Sequence, residues 1–192
     1  PTVSAVSITA GYSGTVSMEG NNMVVTSTTG FAQAGGTFRF RRTTEMTSAD
    51  GWMQVGYAGE TTKPLTISGG TFIGSRFAIR VNGPLTVSGG ALTMASGHNG
   101  SSSTRVVGGL SANSVTVSSG TLAFSSLTEA FPGGDLFTES AFTQSGGTVS
   151  GAGGFLDCAS FSLSSGTCNA PTRGLRTRGA YSVSGGTFNH NS

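Results

Sequence analysis

The chain has 192 residues, of which Gly, Ser and Thr make up 88, whereas Asp, Glu, Lys and Arg together make up only 9%. Gly is a poor helix former and Ser and Thr are mediocre ones, so this composition excludes a helical protein. Apolar residues recur in alternation and the net charge is only +2, which excludes a disordered polar tail. No run of 18 apolar residues is present, so we expect no helix that spans a bilayer.

The chain begins with degenerate copies of a short motif, at residues 6–12 and 16–23, and the motif becomes regular from residue 31. It is then an octet of the form apolar-Thr-apolar-Ser-Gly-Gly-Thr-apolar, with small variations. In chain order the octets are 31–38, 65–72, 85–92, 115–122, 142–149, 161–168 and 181–188. Their starts lie 19 to 34 residues apart, which indicates a basic repeat of about 20 residues with additional segments in three units.

Each octet has the pattern of two short strands joined by a bend. The alternating first half places apolar side chains on one side of a strand and hydroxyls on the other. Gly-Gly permits positive φ and close approach of backbones, and the last two residues resume a strand. A unit of this size cannot bury its apolar side alone, so we expect successive units to stack.

The predicted fold is therefore all-β, a parallel β-helix or β-solenoid of about 7–9 rungs with loop insertions. An antiparallel sandwich or barrel also contains short alternating strands. It gives no reason, however, for Ser-Gly-Gly-Thr to return at the same octet positions, and the solenoid is preferred on that ground.

One domain, residues 1–192, is predicted, with degenerate rungs at 1–30 and regular octets over 31–188. Insertions near 42–64, 96–112 and 125–140 are expected to leave the solenoid as loops. The first insertion contains Trp52, the only tryptophan of the chain, and Tyr57. Loops on a rigid scaffold often carry function, so both aromatics are candidate glycan contacts. The other interpretation places them in a subunit interface.

The strings Leu-Thr-Val-Ser-Gly-Gly at 85–90 and Ser-Gly-Gly-Thr-Phe at 68–72 and 184–188 resemble the passenger repeats of autotransporter-type and haemagglutinin-type β-helical adhesins. The resemblance extends from about residue 31 to residue 188. It implies a secreted, surface-displayed scaffold whose repeats carry no shared catalytic residues.

Cys158 and Cys168 lie ten residues apart, with no His or further Cys at the spacing of metal ligands. The pair is a candidate disulfide, and two buried free thiols are the other interpretation. The sequence contains no phosphate loop, nucleophile elbow or zinc spacing, so neither a cofactor nor a metal is expected. A disulfide would favour an extracellular or cell-surface location.

Two basic clusters are candidate contacts to acidic glycans or to a neighbouring subunit. In the first, Arg39 and Arg41 alternate with aromatic residues and are expected to share one side of a strand; the second contains Arg176 and Arg178. Guanidinium groups hold carboxylates or sulfates with paired hydrogen bonds. A nucleic-acid partner would need a longer basic stripe and is not expected.

If the octets stack in register, their hydroxyls form two outward columns. The first contains Thr66, Thr86, Thr116, Thr143, Ser162 and Ser182, and the second contains Ser68, Ser88, Ser118, Ser145, Ser164 and Ser184. Such an array suits a solvated strand surface. It also allows the hypothesis of an ice-binding face.

A polysaccharide-degrading activity would use a pair of carboxylates, for which Glu129, Asp135 and Glu139 are the candidates. These residues follow no repeating pattern. We therefore expect solvated loop charges and a protein that is not an enzyme.

The last octet ends four residues before Ser192, so the terminal rung is expected to expose its strand edge, which templates association. Head-to-tail contacts that do not close give filaments. The predicted function is a secreted or surface-exposed structural protein that assembles with copies of itself into a fibre, sheath or appendage. The alternative is an adhesin or glycan-binding passenger fragment that contacts cell-surface polysaccharide. An ice-binding protein or a tailspike-like enzyme ranks lower.

Overall fold

The computed structural model of the chain describes residues 1–40, 51–74, 79–94, 109–124, 135–151 and 154–190. These residues contain 18 β-strands in one sheet and no helix. The strands, in chain order, are β1 (Thr2–Val3), β2 (Val6–Ile8), β3 (Thr15–Ser17), β4 (Met23–Val25), β5 (Phe31–Gln33), β6 (Thr37–Arg39), β7 (Met53–Val55), β8 (Leu65–Ile67), β9 (Thr71–Gly74), β10 (Ile79–Met94), β11 (Gly109–Ala123), β12 (Asp135–Thr138), β13 (Ala141–Ser150), β14 (Leu156–Cys158), β15 (Ser160–Asn169), β16 (Leu175–Thr177), β17 (Tyr181–Val183) and β18 (Thr187–Asn189).

Every pairing between these strands is parallel, and the pairs connect each turn of the chain to the next one. The strands form eight coils with three faces. Face A contains β1, β4, β7, the first segments of β10 and β11, β12, β14 and β16. Face B contains β2, β5, β8, the middle segments of β10 and β11, the first segments of β13 and β15, and β17. Face C contains the remaining strands and segments, from β3 to β18.

This arrangement confirms the predicted all-β solenoid, and the count of eight coils falls within the expected range. All-parallel pairing rules out the antiparallel sandwich for the described residues. Parallel strands need a crossover between them, and here each coil provides that crossover with its other two strands.

The core consists of the inward side chains of all three faces, stacked from coil to coil. Inward residues such as Phe31, Leu65 and Leu85 are fully buried and pair in register on face B. In later coils Phe142 stacks on Phe161 with ring centroids 5.6 Å apart. Alternation in the sequence therefore becomes alternation between core and solvent, because successive side chains of a strand point to opposite sides.

The corner between faces B and C explains the Gly-Gly dipeptide. The second position of the dipeptide is Gly in seven coils, and Ser replaces the first Gly before Gly120 and Gly166. This second glycine has a φ between 56° and 87° at Gly36, Gly70, Gly90, Gly120, Gly147, Gly166 and Gly186. A Cβ atom on these residues would lie 2.4–2.7 Å from a glycine carbonyl oxygen of the preceding coil. Only glycine combines a left-handed backbone with such close stacking.

Two buried glutamines fasten this corner from inside the core. Gln144 Nε2 donates to the carbonyl oxygens of Gly146, Gly147 and Thr167 at 3.0–3.3 Å. Gln33, four coils earlier, makes the matching set of three bonds, to the carbonyl oxygens of Gly35, Gly36 and Thr71. Buried amides need such partners, since an unmade bond in the core is costly.

The predicted two-strand repeat is corrected by the third strand of each coil. The segments near 42–64, 96–112 and 125–140, expected to be loops, contain the face A strand β7, the start of β11 and β12. These strands are short and lack the Gly-Gly signature, since the turns that follow them differ from coil to coil.

Candidate functional site

Among the described residues, the outward side chains of face A are the most varied in chemistry. Its strands or their immediate flanks place Trp52, Arg80, Glu139, Asp157 and Arg176 on the outside of the solenoid wall. The strands of face B, all of them described, contain no charged residue. A candidate site is therefore sought on face A.

The longest described connection from face A to face B, residues 56–64 between β7 and β8, is held by polar bonds. Lys63 Nζ lies 2.7 Å from Glu60 Oε2, and that oxygen also accepts a hydrogen bond from the Tyr57 backbone at 2.6 Å. The hydrogen bond from Lys63 lowers the pKa of the Glu60 carboxyl below its usual range. Lys63 itself is only 8% exposed, so the loop is closed on itself by an ion pair whose cation is nearly buried.

This loop borders a groove of about 720 Å³ on face A. Ala58, Gly59 and Thr61 line it from the loop, and face A provides the rest of the lining. Four of the face A residues occupy one column, in which each pairs in register with the next: Gln54, Arg80, Ser111 and Phe137. Adjacent members of the column belong to adjacent coils and are separated by about 4.8 Å.

Amide side chains form a second element of the groove. Asn82 Nδ2 and Gln54 Nε2 both donate to the Gly56 carbonyl oxygen, at 2.7 and 2.8 Å. Asn113 and Glu139 continue the lining in the next coils. The two bonds to Gly56 fix both amides against the base of the loop.

The two aromatic candidates have different positions. Trp52 is 38% exposed and lines the groove, directly before β7. Tyr57 is 50% exposed and lies in the loop, but it is not among the residues that line the groove. Of this pair, only Trp52 is positioned to contact a molecule in the groove.

The described arginine candidates lie on different faces of the solenoid. Arg39 lies on face C, where its Nη2 is 3.6 Å from Glu19 Oε1 and its Nε donates to Ser17 Oγ at 3.1 Å. Arg41 lies outside the described residues. The predicted sharing of one strand side by Arg39 and Arg41 therefore stays a prediction.

Arg176 and Arg178 form an ion cluster with Asp157 on face A. The Asp157 side chain is only 6% exposed and pairs with Arg176 Nη2 and, at 3.5 Å, with Arg178 Nε. Arg178 also lies over the Phe137 ring, 5.2 Å from its centroid. These contacts join coils 6, 7 and 8 across the face, which is a structural role for both guanidinium groups.

Cys158 and Cys168 are free thiols, fully buried in the same coil. The structure thus contains the free-thiol alternative and not the disulfide. Cys158 belongs to face A, where its Sγ lies 3.7 Å from the Arg176 carbonyl oxygen, whereas Cys168 belongs to face C and pairs in register with Val149 and Phe188. Burial raises the pKa of both thiols to about 11.

The carboxylate candidates for hydrolysis do not form a described pair. Asp135 Oδ1 accepts the Phe155 backbone N–H at 3.1 Å and lies 3.4 Å from Arg173 Nη1. Glu139 borders the groove, and Glu129 lies outside the described residues. Among the residues that the structure describes, no group of three His, Cys, Asp or Glu side chains could hold a metal ion.

The first hydroxyl column is confirmed. Thr66, Thr86, Thr116, Thr143, Ser162 and Ser182 pair in register along face B. The second column is offset by one residue in places: Ser88 pairs with Ser119 and Ser145 pairs with Ser165. The register shifts there because this column lies at the glycine corner, where the strand bends.

Several groove residues were not identified from the sequence, namely Gln54, Arg80, Asn82, Ser111, Asn113 and Phe137. The sequence nevertheless contains a pattern that could have identified them. An apolar residue precedes several octets by five or six positions, as Ile79, Leu110, Leu136, Leu156 and Leu175 do. Each of these begins the inward row of a face A strand, so the outward groove positions follow by alternation.

The comparisons with known proteins found no matching family model, no matching curated protein and no matching solved structure. Within the described parts of the chain there is also no helix with the length and hydropathy needed to cross a membrane. The resemblance to β-helical passenger repeats stays a prediction.

Proposed function

We propose that this chain is a non-enzymatic structural protein of an extracellular or cell-surface assembly, in which solenoids stack end to end on copies of themselves. The observation that carries the proposal is the exposure of core positions in coil 8. Tyr181 and Val183 are 49% and 44% exposed. Their register partners in coil 7, Phe161 and Leu163, are at most 1% exposed.

The exposed side chains continue the buried columns of the solenoid. The Tyr181 ring stacks on the Phe161 ring with centroids 5.3 Å apart, as Phe161 does on Phe142. Another β-coil placed over β17 would bury these side chains and pair their backbone. Burial of apolar surface is the main favourable contribution to such association.

Coil 1 provides a matching surface at the opposite end. Val3, Val6 and Val16 are only partly buried there and pack against the hydrophobic core. Val6 pairs with Phe31 of coil 2, so its other side is available to a coil of a second molecule. Two different surfaces that meet in a head-to-tail contact propagate into a filament when the rotation does not close.

The test compares two aspartate substitutions on one strand. Val183→Asp places a charge in the column that the second copy would bury, and we expect it to abolish association. Ser182→Asp adds the same charge to the outward side of β17, where the side chain points away from the contact, and we expect assembly to persist. Sedimentation velocity and negative-stain electron microscopy of both variants and the unmodified chain measure the outcome.

An unmodified chain that sediments as a monomer at high micromolar concentration would contradict the proposal. Equal assembly of both aspartate variants would contradict it as well, because association would then not involve the coil 8 surface. Circular dichroism of each variant confirms that the β-coils have formed before assembly is compared.

A further inference from the structure

We propose that the groove on face A binds a linear, uncharged oligosaccharide, with Trp52 as the stacking surface. This site is independent of the end-to-end association proposed above, because its residues lie on the side wall of coils 3 to 6. The proposal rests on how the groove is formed, on the side chains that line it and on the repeat of its floor.

The groove exists because coil 3 departs from the repeat. In coil 4 the chain passes from Val81 on face A to Leu85 on face B within one continuous strand. In coil 3 the same passage takes the nine residues 56–64, three of which line the groove. The ion pair of Lys63 with Glu60, at 2.7 Å, closes this loop on itself, and the bonds from Gln54 and Asn82 to the Gly56 carbonyl oxygen fix its base to face A. The concave shape is therefore present before any ligand binds.

The lining has the chemistry that recognises sugars. An indole presents a flat apolar surface with a polar N–H, and such a surface packs against the C–H side of a pyranose ring. Amides donate and accept at once, as sugar hydroxyls do, and the groove contains Gln54, Asn82 and Asn113. Pockets that combine an apolar surface with a few fixed polar groups are the usual form of small-molecule sites.

The charges of the lining favour an uncharged ligand. Arg80 and Glu139 are the charged residues among the described side chains of the groove, and their charges cancel. A polyanion such as a sulfated glycan would meet Glu139, and a polycation would meet Arg80. A neutral chain is repelled by neither residue and can form hydrogen bonds with both Arg80 and Glu139.

The floor repeats along the solenoid axis. Gln54, Arg80, Ser111 and Phe137 follow one another at one residue per coil, that is, at a spacing of about 4.8 Å. This step is close to the advance of one sugar ring in an extended glycan. A linear oligosaccharide that runs along the axis therefore meets a new outward side chain at each ring.

The experiment uses intrinsic fluorescence, because Trp52 is the only tryptophan of the chain. Hexamers of β-1,4-linked glucose, mannose, xylose and N-acetylglucosamine are titrated into the full chain. We expect at least one of them to change the emission of Trp52 and to bind with a dissociation constant below about 1 mM. Isothermal titration calorimetry with that hexamer then measures the variants.

Two matched aromatic variants locate the site. Trp52→Ala is expected to weaken binding at least about tenfold, as loss of a central aromatic contact does. Tyr57→Ala removes a more exposed aromatic residue of the same coil that does not line the groove, and it is expected to change the affinity by less than about twofold. A third variant, Ser111→Phe, places a bulky side chain at an outward position of the groove floor and is expected to abolish binding. It tests the groove independently of Trp52→Ala, in case that substitution lowers the stability of the fold.

The proposal is overturned if none of the four hexamers binds. It is also overturned if Trp52→Ala and Tyr57→Ala weaken binding equally, or if Ser111→Phe binds as the unmodified chain does. Each of these outcomes leaves the end-to-end association unaffected, since the Val183→Asp experiment tests it separately.

Discussion

Face B repeats outward Thr or Ser from coil 3 to coil 8 without a charged residue, whereas face A presents Trp52, Arg80, Phe137 and Asp157 over the same stretch. Both faces rest on the same core, since the inward residues of each are buried from coil 3 to coil 7. The difference shows that the fold constrains the inward side chains and the glycine corner, and leaves the outward positions free to vary. The varied outward side chains of face A are thus a better indication of a binding role than the uniform ones of face B.

The largest expected effect is a loss of stability on substitution of a glycine at the corner between faces B and C. It is compared with a glycine in the loop between faces A and B. Gly120 has a φ of 75°, and a Cβ there would lie 2.4 Å from the Gly90 carbonyl oxygen. Gly59, in the loop from face A, has a φ of 87° but no atom within 4 Å of such a Cβ. We expect Gly120→Ala to lower the free energy of unfolding by about 3 kcal/mol or more, because backbone strain and a clash add together.

Gly59→Ala introduces backbone strain alone and should lower the free energy of unfolding by about 1 kcal/mol. Urea denaturation of both variants measures the difference. Similar losses for the two alanines would contradict the assignment of the second corner glycine to coil stacking.

A smaller effect compares the two sides of a single face B strand. Gln144 is fully buried and donates to three carbonyl oxygens, whereas its neighbour Thr143 is outward and half-buried. Gln144→Ala is expected to cost about 2–3 kcal/mol, since carbonyl groups lose their partner and a cavity remains. Thr143→Ala should cost less than about 1 kcal/mol, as measured by thermal unfolding; a larger loss at Thr143 would show that face B is not simply solvated.

The smallest effect concerns the ion cluster of face A. We expect Asp157→Asn to lower the free energy of unfolding by about 1–2 kcal/mol, because two guanidinium groups that are about half exposed lose a nearly buried partner. Ser162→Asn in the same coil, on uncharged face B, should change stability by less than about 0.5 kcal/mol. Added salt should reduce the difference in the free energy of unfolding between these two variants, as measured by urea denaturation. A difference that does not depend on salt would argue against an electrostatic origin.

The sequence predicts faces B and C well because the octet contains both strands and the glycine corner between them. Alternation fixes which side chains are buried, and glycine is needed at the second position of the corner, where one coil approaches the next, as at Gly90 and Gly120. Both requirements act within a single octet, so they appear in the sequence as a repeated motif. The seven octets and the two degenerate copies predict about 7–9 coils, and the structure has eight, because both degenerate copies begin in coil 1.

Face A could not be assigned in the same way, because its strands contain as few as two residues and are followed by turns of different length. Leu156-Asp-Cys158 reads as a loop until its pairing with β12 and β16 is known. Likewise, the contact of Arg176 and Arg178 with Asp157 spans 19 and 21 positions of sequence. The groove residues meet only through stacking of four coils, which is a property of the register and not of any one segment.

The stacked register also sets how such a molecule changes in size. Phe161 and Tyr181 occupy equivalent places in successive coils, so the twenty residues that begin at Phe161 form one complete turn of the path. Adding or removing a turn of this kind changes the length of the rod by one strand spacing and preserves its cross-section. A gene that encodes such a wall can therefore lengthen it by duplicating one turn at a time, without redesigning the core.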